Sequence, residues 1–234
     1  MIAINDVHKR FGKVVALAGV SLRIEPGERV ALVGSNGSGK TTLIRALCGL
    51  LQVKGEIRLF GVDVHKSPQA ALRSLAYMPQ VAPPLDAPVS ELVRGYAALR
   101  CYEVSKVEAV ARRLGLSLPE IARTRVRDLS GGMKQKLLAS LALAAESLIL
   151  VCDEPTASLD ADARTAFFEL VNERAAETIL VLCSHRADDV GQLVGRTIQL
   201  ADGKIATDSQ RAELIHPSAS RPSYHALAAA RSLG

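Results

Sequence analysis

Two kinds of apolar pattern alternate along the chain. Val20, Leu22 and Ile24 alternate with small or polar residues, the period of a strand with one buried face. Val30-Ala31-Leu32-Val33 is a continuous apolar run, entered through the turn Pro26-Gly27-Glu28 and Arg29. Such a run fits a strand covered on both faces of a parallel sheet. Residues 1–33 as a whole read as strands. Leu43, Ile44, Ala46, Leu47 and Leu51 return at helical spacing and predict a helix over 40–51. A further strand is predicted over 56–60, closed by Gly61.

The middle of the chain changes character. Pro83-Pro84 breaks it, and helical patterns follow at about 88–100, 104–115 and 132–145. The runs 147–152 and 178–183 again read as buried parallel strands, with a helix at about 161–175 between them. Residues 197–200, the turn Asp202-Gly203 and residues 204–206 predict a terminal hairpin. From 207 to 234 the composition shifts to Ser, Pro and Ala, which reads as a loosely attached tail; its Tyr224, His225 and Arg231 receive no role. The predicted organisation is one domain over 1–206, with a helical insert at about 83–145, and a tail over 207–234.

Composition narrows the function classes. The 234 residues are 48% hydrophobic and 23% charged, which excludes general disorder and allows a sizeable core. Only 3% are aromatic and none is Trp, so a base-stacking platform for single-stranded nucleic acid is disfavoured. The net charge of +5 is spread along the chain and reads as a mildly basic surface suited to phosphates or a membrane-side partner; no nucleic-acid partner is expected. Cys48, Cys101, Cys152 and Cys183 show no metal-ligand spacing and suit a reducing compartment. No signal peptide and no apolar run of membrane-spanning length is visible, so work at a membrane would need another chain to cross it.

The chemistry concentrates in two places. Gly34-Ser35-Asn36-Gly37-Ser38-Gly39-Lys40-Thr41-Thr42 fits the phosphate-binding pattern G-x-x-x-x-G-K-[ST] between a predicted strand and a predicted helix. Its glycines let amides turn inward around an anion, and the helix N-terminus adds its dipole. Lys40 would reach the terminal phosphates of a nucleotide and Thr41 would hold Mg²⁺. The run 148–152 then delivers the carboxylates Asp153-Glu154 at a strand end. Asp153 is placed to bind Mg²⁺ and Glu154 to polarise water. Alone, the pair reads equally well as a solvated strand end. Asp153 lies 113 positions after Lys40, far more than a simple strand–helix–strand step of about 30 residues, so the helical stretch is inserted between the two motifs.

Inside that insert stands Leu129-Ser130-Gly131-Gly132-Met133-Lys134-Gln135. With it, residues 1–206 resemble the ATP-binding cassette subunits of ABC transporters. The resemblance implies an α/β fold: a P-loop core with a mixed or parallel sheet, an N-terminal antiparallel β-subdomain and an inserted helical subdomain. It implies ATP and Mg²⁺ as ligands and ATP hydrolysis as the activity. It implies a head-to-tail dimer with a second copy or a homologous subunit, in which Ser130, Gly131, Gly132 and Gln135 of one chain face the P-loop nucleotide of the other. Gln80 matches the glutamine that touches Mg²⁺ and the attacking water, and Asp160 the loop that crosses the dimer, although Asp160 also suits a helix N-cap. His185, 31 positions after Glu154, matches the switch histidine on the γ-phosphate. Phe11 stands where a tyrosine usually stacks on adenine. The chain departs from the family at Leu138-Ala139-Ser140-Leu141-Ala142, where a basic residue is usual, and at Cys152. A separate transmembrane permease subunit is implied as partner, holding the cassette at the cytoplasmic face of the membrane. Val81, Leu85, Val89, Leu92 and Tyr96 are candidates for that contact. A soluble cassette ATPase acting on nucleic acid or ribosomes, or a regulatory nucleotide-binding subunit, is the alternative.

Overall fold

The computed structural model describes residues 1–184 and 186–210. Two sheets organise it. The first is antiparallel, in the order β2-β1-β4-β5, built from β1 (Ile2–Phe11), β2 (Val14–Ile24), β4 (Lys54–Leu59) and β5 (Val62–Asp63). The second has six strands, in the order β10-β9-β3-β8-β7-β6. Its β3 (Arg29–Val33), β6 (Leu75–Met78), β7 (Ile149–Asp153), β8 (Ile179–Cys183) and β9 (Arg196–Ala201) are mutually parallel, and β10 (Lys204–Gln210) closes it antiparallel. The sheet is therefore mixed.

The alternation of side chains explains why both faces of this sheet are covered. Ile149 and Val151 of β7, and Ile179 and Val181 of β8, pack with helix α1 (Lys40–Leu47) and the antiparallel sheet. Leu150, Cys152, Leu180 and Leu182 face the other way, onto α5 (Gly131–Ala144) and α6 (Ala161–Asn172). A continuous apolar run is the sequence such a two-sided strand requires. A short α2 (Pro68–Leu72) precedes β6. Helices α3 (Val89–Arg100) and α4 (Val104–Arg113) form the insert, whose separate core includes Val93, Val107, Ala111 and Leu118. Helix α5 belongs to both cores: Leu137 and Leu141 enter the insert, while Ala139 and Ala142 face the sheet. A helix apolar on all sides is one buried on all sides. A last short helix, α7 (Ala187–Leu193), precedes β9.

Several elements differ from the sequence reading, which placed nothing at β5, α2 or α7. Helix α1 stops at Leu47 because Gly49, at φ 66, reverses the chain, and the amides of Gly49 and Leu50 close onto the Ala46 and Arg45 carbonyls. Strand β6 was not expected; it is a four-residue edge strand without an alternating pattern. The terminal hairpin pairs as far as Gln210↔Arg196, four residues past the compositional boundary. Its second strand is polar because it is an exposed edge. The remaining tail, with Tyr224, His225 and Arg231, lies outside the described residues. Among the described residues no helix is long and apolar enough to cross a membrane.

Candidate nucleotide site

The loop from Gly34 to Gly39 connects β3 to α1 and is wedged between two neighbouring strands. Gly34 has φ 147, and a Cβ there would lie 2.3 Å from the Leu200 carbonyl oxygen and 2.7 Å from Ser38 Oγ. Gly39, at φ 106, would bring a Cβ within 2.5 Å of the Ala16 carbonyl. Any side chain would push the loop off both strands. Gly39 is also the N-cap of α1, so no side chain covers the first-turn amides, and the helix end stays electropositive. Lys40 Nζ donates to the Gly34 carbonyl at 2.7 Å and the Ser35 carbonyl at 2.9 Å, spanning the loop. Ser38 Oγ is buried inside it without a hydrogen-bond partner.

The loop forms one side of a cleft of about 890 Å³. Lys40, Thr41, Gln80, Asp153 and Glu154 line it together, although they come from three separate stretches of chain. The strand order brings them there: β3, β8, β7 and β6 are consecutive neighbours and parallel, so their C-terminal ends share one edge. Asp153 ends β7 and is 2% exposed. Burial pushes its carboxyl above the usual range; the Cys183 thiol, bonded to it, opposes this, the charge of Glu154 adds to it, and Arg45 and Lys40 pull it down. Burial likewise pushes the Cys183 thiol up to about 12, so it remains a neutral donor.

Glu154 follows in left-handed backbone, φ 51, where a residue other than Gly is strained by about 1–3 kcal/mol. Its surroundings hold it there. Its amide donates to the Cys183 carbonyl at 2.8 Å, and its carbonyl accepts from Ala157 at 3.3 Å. The buried amide of Gln135 donates to the Pro155 carbonyl at 3.0 Å and reaches the Glu154 carbonyl at 3.5 Å. The Gln135 side chain is 4% exposed and engaged with the main chain, so within this chain it braces the turn after β7.

The other predicted residues divide. Asn36, Gly37 and Thr42 line the cleft with the loop. Ser130 stands outside the cleft as the exposed N-cap of α5, its Oγ accepting from Met133 at 3.2 Å. Gly131 and Gly132 open that helix, and Gly132 abuts the Ser158 carbonyl, 3.1 Å from where its Cβ would sit. Asp160 is an N-cap: it accepts the Ala163 amide at 2.8 Å and pairs with Lys136 at 2.7 Å. Phe11 is half exposed at the tip of the β1–β2 hairpin, with Lys9 Nζ 5.3 Å from its ring centroid. His185 lies outside the described residues. Of the five candidates for partner contact, Val81 is exposed, whereas Val89 is fully buried in the insert and Leu85, Leu92 and Tyr96 pack against its core. Val89 is thereby removed from the partner surface. Sequence reasoning missed polar groups on the cleft wall: Ser184 and Arg186 after β8, and Thr197, Ser209 and Gln210 of the terminal hairpin. The Asp202-Gly203 turn was the available signal for the hairpin.

The residues fit a Mg²⁺–nucleotide. The loop is a cradle that any Cβ would fill, and its helix end and Lys40 are both cationic. The available donors beside it are a threonine hydroxyl, an amide and the buried carboxylates of Asp153 and Glu154, all hard oxygen ligands suited to Mg²⁺. Among the described residues no cluster of three His, Cys, Asp or Glu gathers, and a Mg²⁺ that takes most of its ligands from phosphates and water needs none.

A P-loop facing a strand-end carboxylate pair, flanked by an antiparallel sheet and a helical insert, defines a cassette-type P-loop ATPase. Comparison with known proteins gives the same assignment. The family model for the ABC transporter domain matches residues 17–157. A Halobacterium salinarum protein named as an ABC transporter ATP-binding protein is 33% identical over 92% of this chain and 95% of its own length. A Streptomyces avermitilis protein named in the same way is also 33% identical, but the chain spans only 38% of it. The solved structure of an ATP-binding subunit of an ABC transporter superposes with a TM-score of 0.80 at 25% identity, over 90% of each chain. The chain belongs to the ABC transporter ATP-binding family.

Proposed function

We propose that the chain binds and hydrolyses ATP to power a separate transmembrane permease, working at the cytoplasmic face of a membrane through an ATP-driven head-to-tail dimer. One observation carries this reading. Lys40, Thr41, Gln80, Asp153 and Glu154 converge on one cleft, while the glycine-rich turn at Ser130 stands exposed outside it. An exposed helix N-terminus that opens with two glycines is a second anion site that its own chain leaves uncovered. A second copy arranged head to tail would bring that turn over the nucleotide of its neighbour.

In this arrangement the loop amides and Lys40 hold the phosphates, and Phe11 stacks on adenine. Thr41, Asp153 and Gln80 hold Mg²⁺, which when bound neutralises charge on the phosphate oxygens. Glu154 orients or deprotonates the attacking water, and His185 and Lys40 stabilise the transferred phosphoryl group. Loss of the γ-phosphate removes the group shared by the two subunits and loosens the dimer, a two-state switch driven by differential contacts.

Glu154→Gln tests the assignment. Hydrolysis should fall at least about a hundredfold, the scale for losing a general base, with ATP affinity retained. Light scattering should then find a dimer in Mg²⁺–ATP. Undiminished turnover would remove Glu154 from the mechanism, and a monomer at saturating ATP would remove the head-to-tail arrangement.

A further inference from the structure

Asp189, on α7, is completely buried. Its Oδ2 accepts two hydroxyl hydrogen bonds, from Thr156 Oγ1 at 2.5 Å and from Ser184 Oγ at 3.0 Å. Both hydroxyls are buried as well. Ser184 Oγ in turn accepts the Arg186 amide at 3.1 Å. Oδ1 of the same carboxyl is buried without a hydrogen-bond partner. A buried carboxyl that leaves one oxygen unsatisfied is a poor device for stability alone, because its desolvation is only partly offset. Its partners give it another purpose. Thr156 lies two residues after Glu154, in the turn leaving β7, and Ser184 is the first residue after β8. Asp189 therefore ties together the exits of the two strands that flank the water-activating position.

This tie completes a set. The amide of Glu154 is fixed to the β8 end through the Cys183 carbonyl, and its carbonyl side is fixed to α5 through Gln135. Neither contact holds the chain beyond Pro155. The Thr156–Asp189 bond does, in the same turn that the Ala157 amide closes onto the carbonyl of the left-handed Glu154.

We propose that Asp189 is a positioning residue for hydrolysis: through Thr156 and Ser184 it locks the turn that aims the Glu154 carboxylate. The proposal rests on the reading of Glu154 as the group that activates water. Asp189 is fully buried and does not line the cleft, so it should act on turnover and leave binding unchanged.

The test compares Asp189→Ala, Asp189→Asn and Thr156→Val with wild type and Glu154→Gln, reading kcat, KM for ATP, nucleotide affinity and melting temperature. Thr156→Val keeps the shape of the site and removes one donor, so it serves even if Asp189→Ala does not fold. Both disruptive variants should lose between about tenfold and a hundredfold in kcat, the scale of a misplacement of about 1 Å, with KM and affinity unchanged. Asp189→Asn retains an acceptor oxygen and should restore most of the rate. Adding Thr156→Val to Asp189→Ala should cost nothing more, because Asp189→Ala already breaks the bond that Thr156→Val removes. Wild-type kcat in a folded Thr156→Val or Asp189→Ala variant would overturn the proposal. So would losses of rate and affinity that fall together with the folded fraction. If Glu154→Gln hydrolyses normally, the reading of Glu154 itself fails, and this assignment fails with it.

Discussion

The amide of Gly203 donates to the carbonyl of Ser38 across 3.1 Å, and the Gly203 carbonyl accepts from Ala18 at 2.9 Å. One residue of the terminal hairpin thus joins the phosphate-binding loop to the antiparallel sheet. It has φ 74, and a Cβ there would sit 2.9 Å from the Ala16 carbonyl oxygen and 3.1 Å from Leu17 Cα, in backbone that cannot move aside cheaply. Gly203→Ala should therefore destabilise the chain by about 1–3 kcal/mol and weaken ATP binding, because the loop is displaced with the turn. Gly61→Ala is the matched control: φ is 85, yet nothing lies within 4 Å of its Cβ. It should lower the melting temperature less and leave affinity unchanged in a nucleotide titration.

Gln135 makes a different kind of connection, from the helix that begins at Ser130 to the turn that holds Glu154. Replacing it with Leu removes the donor and leaves the Pro155 carbonyl buried and unpaired. Such a loss costs about 1–3 kcal/mol. The strained Glu154 backbone also loses a brace, so kcat should fall while ATP affinity holds. Equal losses in both would mean that Gln135 contacts the nucleotide after all.

The relation of sequence to site is uneven, and the reason is physical. The P-loop was legible because its chemistry needs contiguous residues: glycines for the close approach to Leu200 and Ala16, then Lys40 and Thr41 at the helix start. Strands β7 and β8 were legible because burial on both faces forces an unbroken apolar run, and their parallel order carries Asp153 and Glu154 to the same edge as the loop. Residues whose role comes from a long-range partner were not. Nothing local in Gln135 says that its amide ends on Pro155, or in Asp189 that it holds Thr156, 33 positions earlier. Residues 207–210, the far end of β10, were read as tail because an exposed edge strand lacks the apolar face that periodicity detects.

That strand is fixed by Arg196. Its guanidinium bonds Asp208 at 2.7 and 2.8 Å and Glu28 at 3.0 Å, joining β9, β10 and the turn before β3. The hydrogen bonds from Arg196 hold the Asp208 carboxyl below the usual range. A depressed carboxylate contributes stability above its ordinary pKa and loses it as pH falls through the lowered value. Asp208→Asn should thus lower the stability at neutral pH by up to about 1 kcal/mol, read as a lower melting temperature. The gap to wild type should narrow as the solution is acidified. A gap that is constant with pH would show that the charge of Asp208 is irrelevant to the hairpin.

Asp153 carries the opposite sign. Its pKa in the fold is raised, chiefly by burial, so its protonated form adds to the stability of the metal-free chain below the ordinary carboxylate range. That contribution is lost as pH rises through the raised value, and near neutrality the ionised carboxyl is a cost that an amide escapes. Asp153→Asn should therefore raise the melting temperature of the protein in EDTA at pH 7, and the gain should shrink on acidification as the wild-type carboxyl takes up its proton. The same change removes one of the two buried carboxylates on the cleft wall. A bound dication reverses the local electrostatics and makes the charge favourable. Titration of hydrolysis with Mg²⁺ should then need at least about tenfold more metal, or give no rate at all. A variant less stable than wild type in EDTA would refute the electrostatic account, and an unchanged Mg²⁺ requirement would remove Asp153 from the metal.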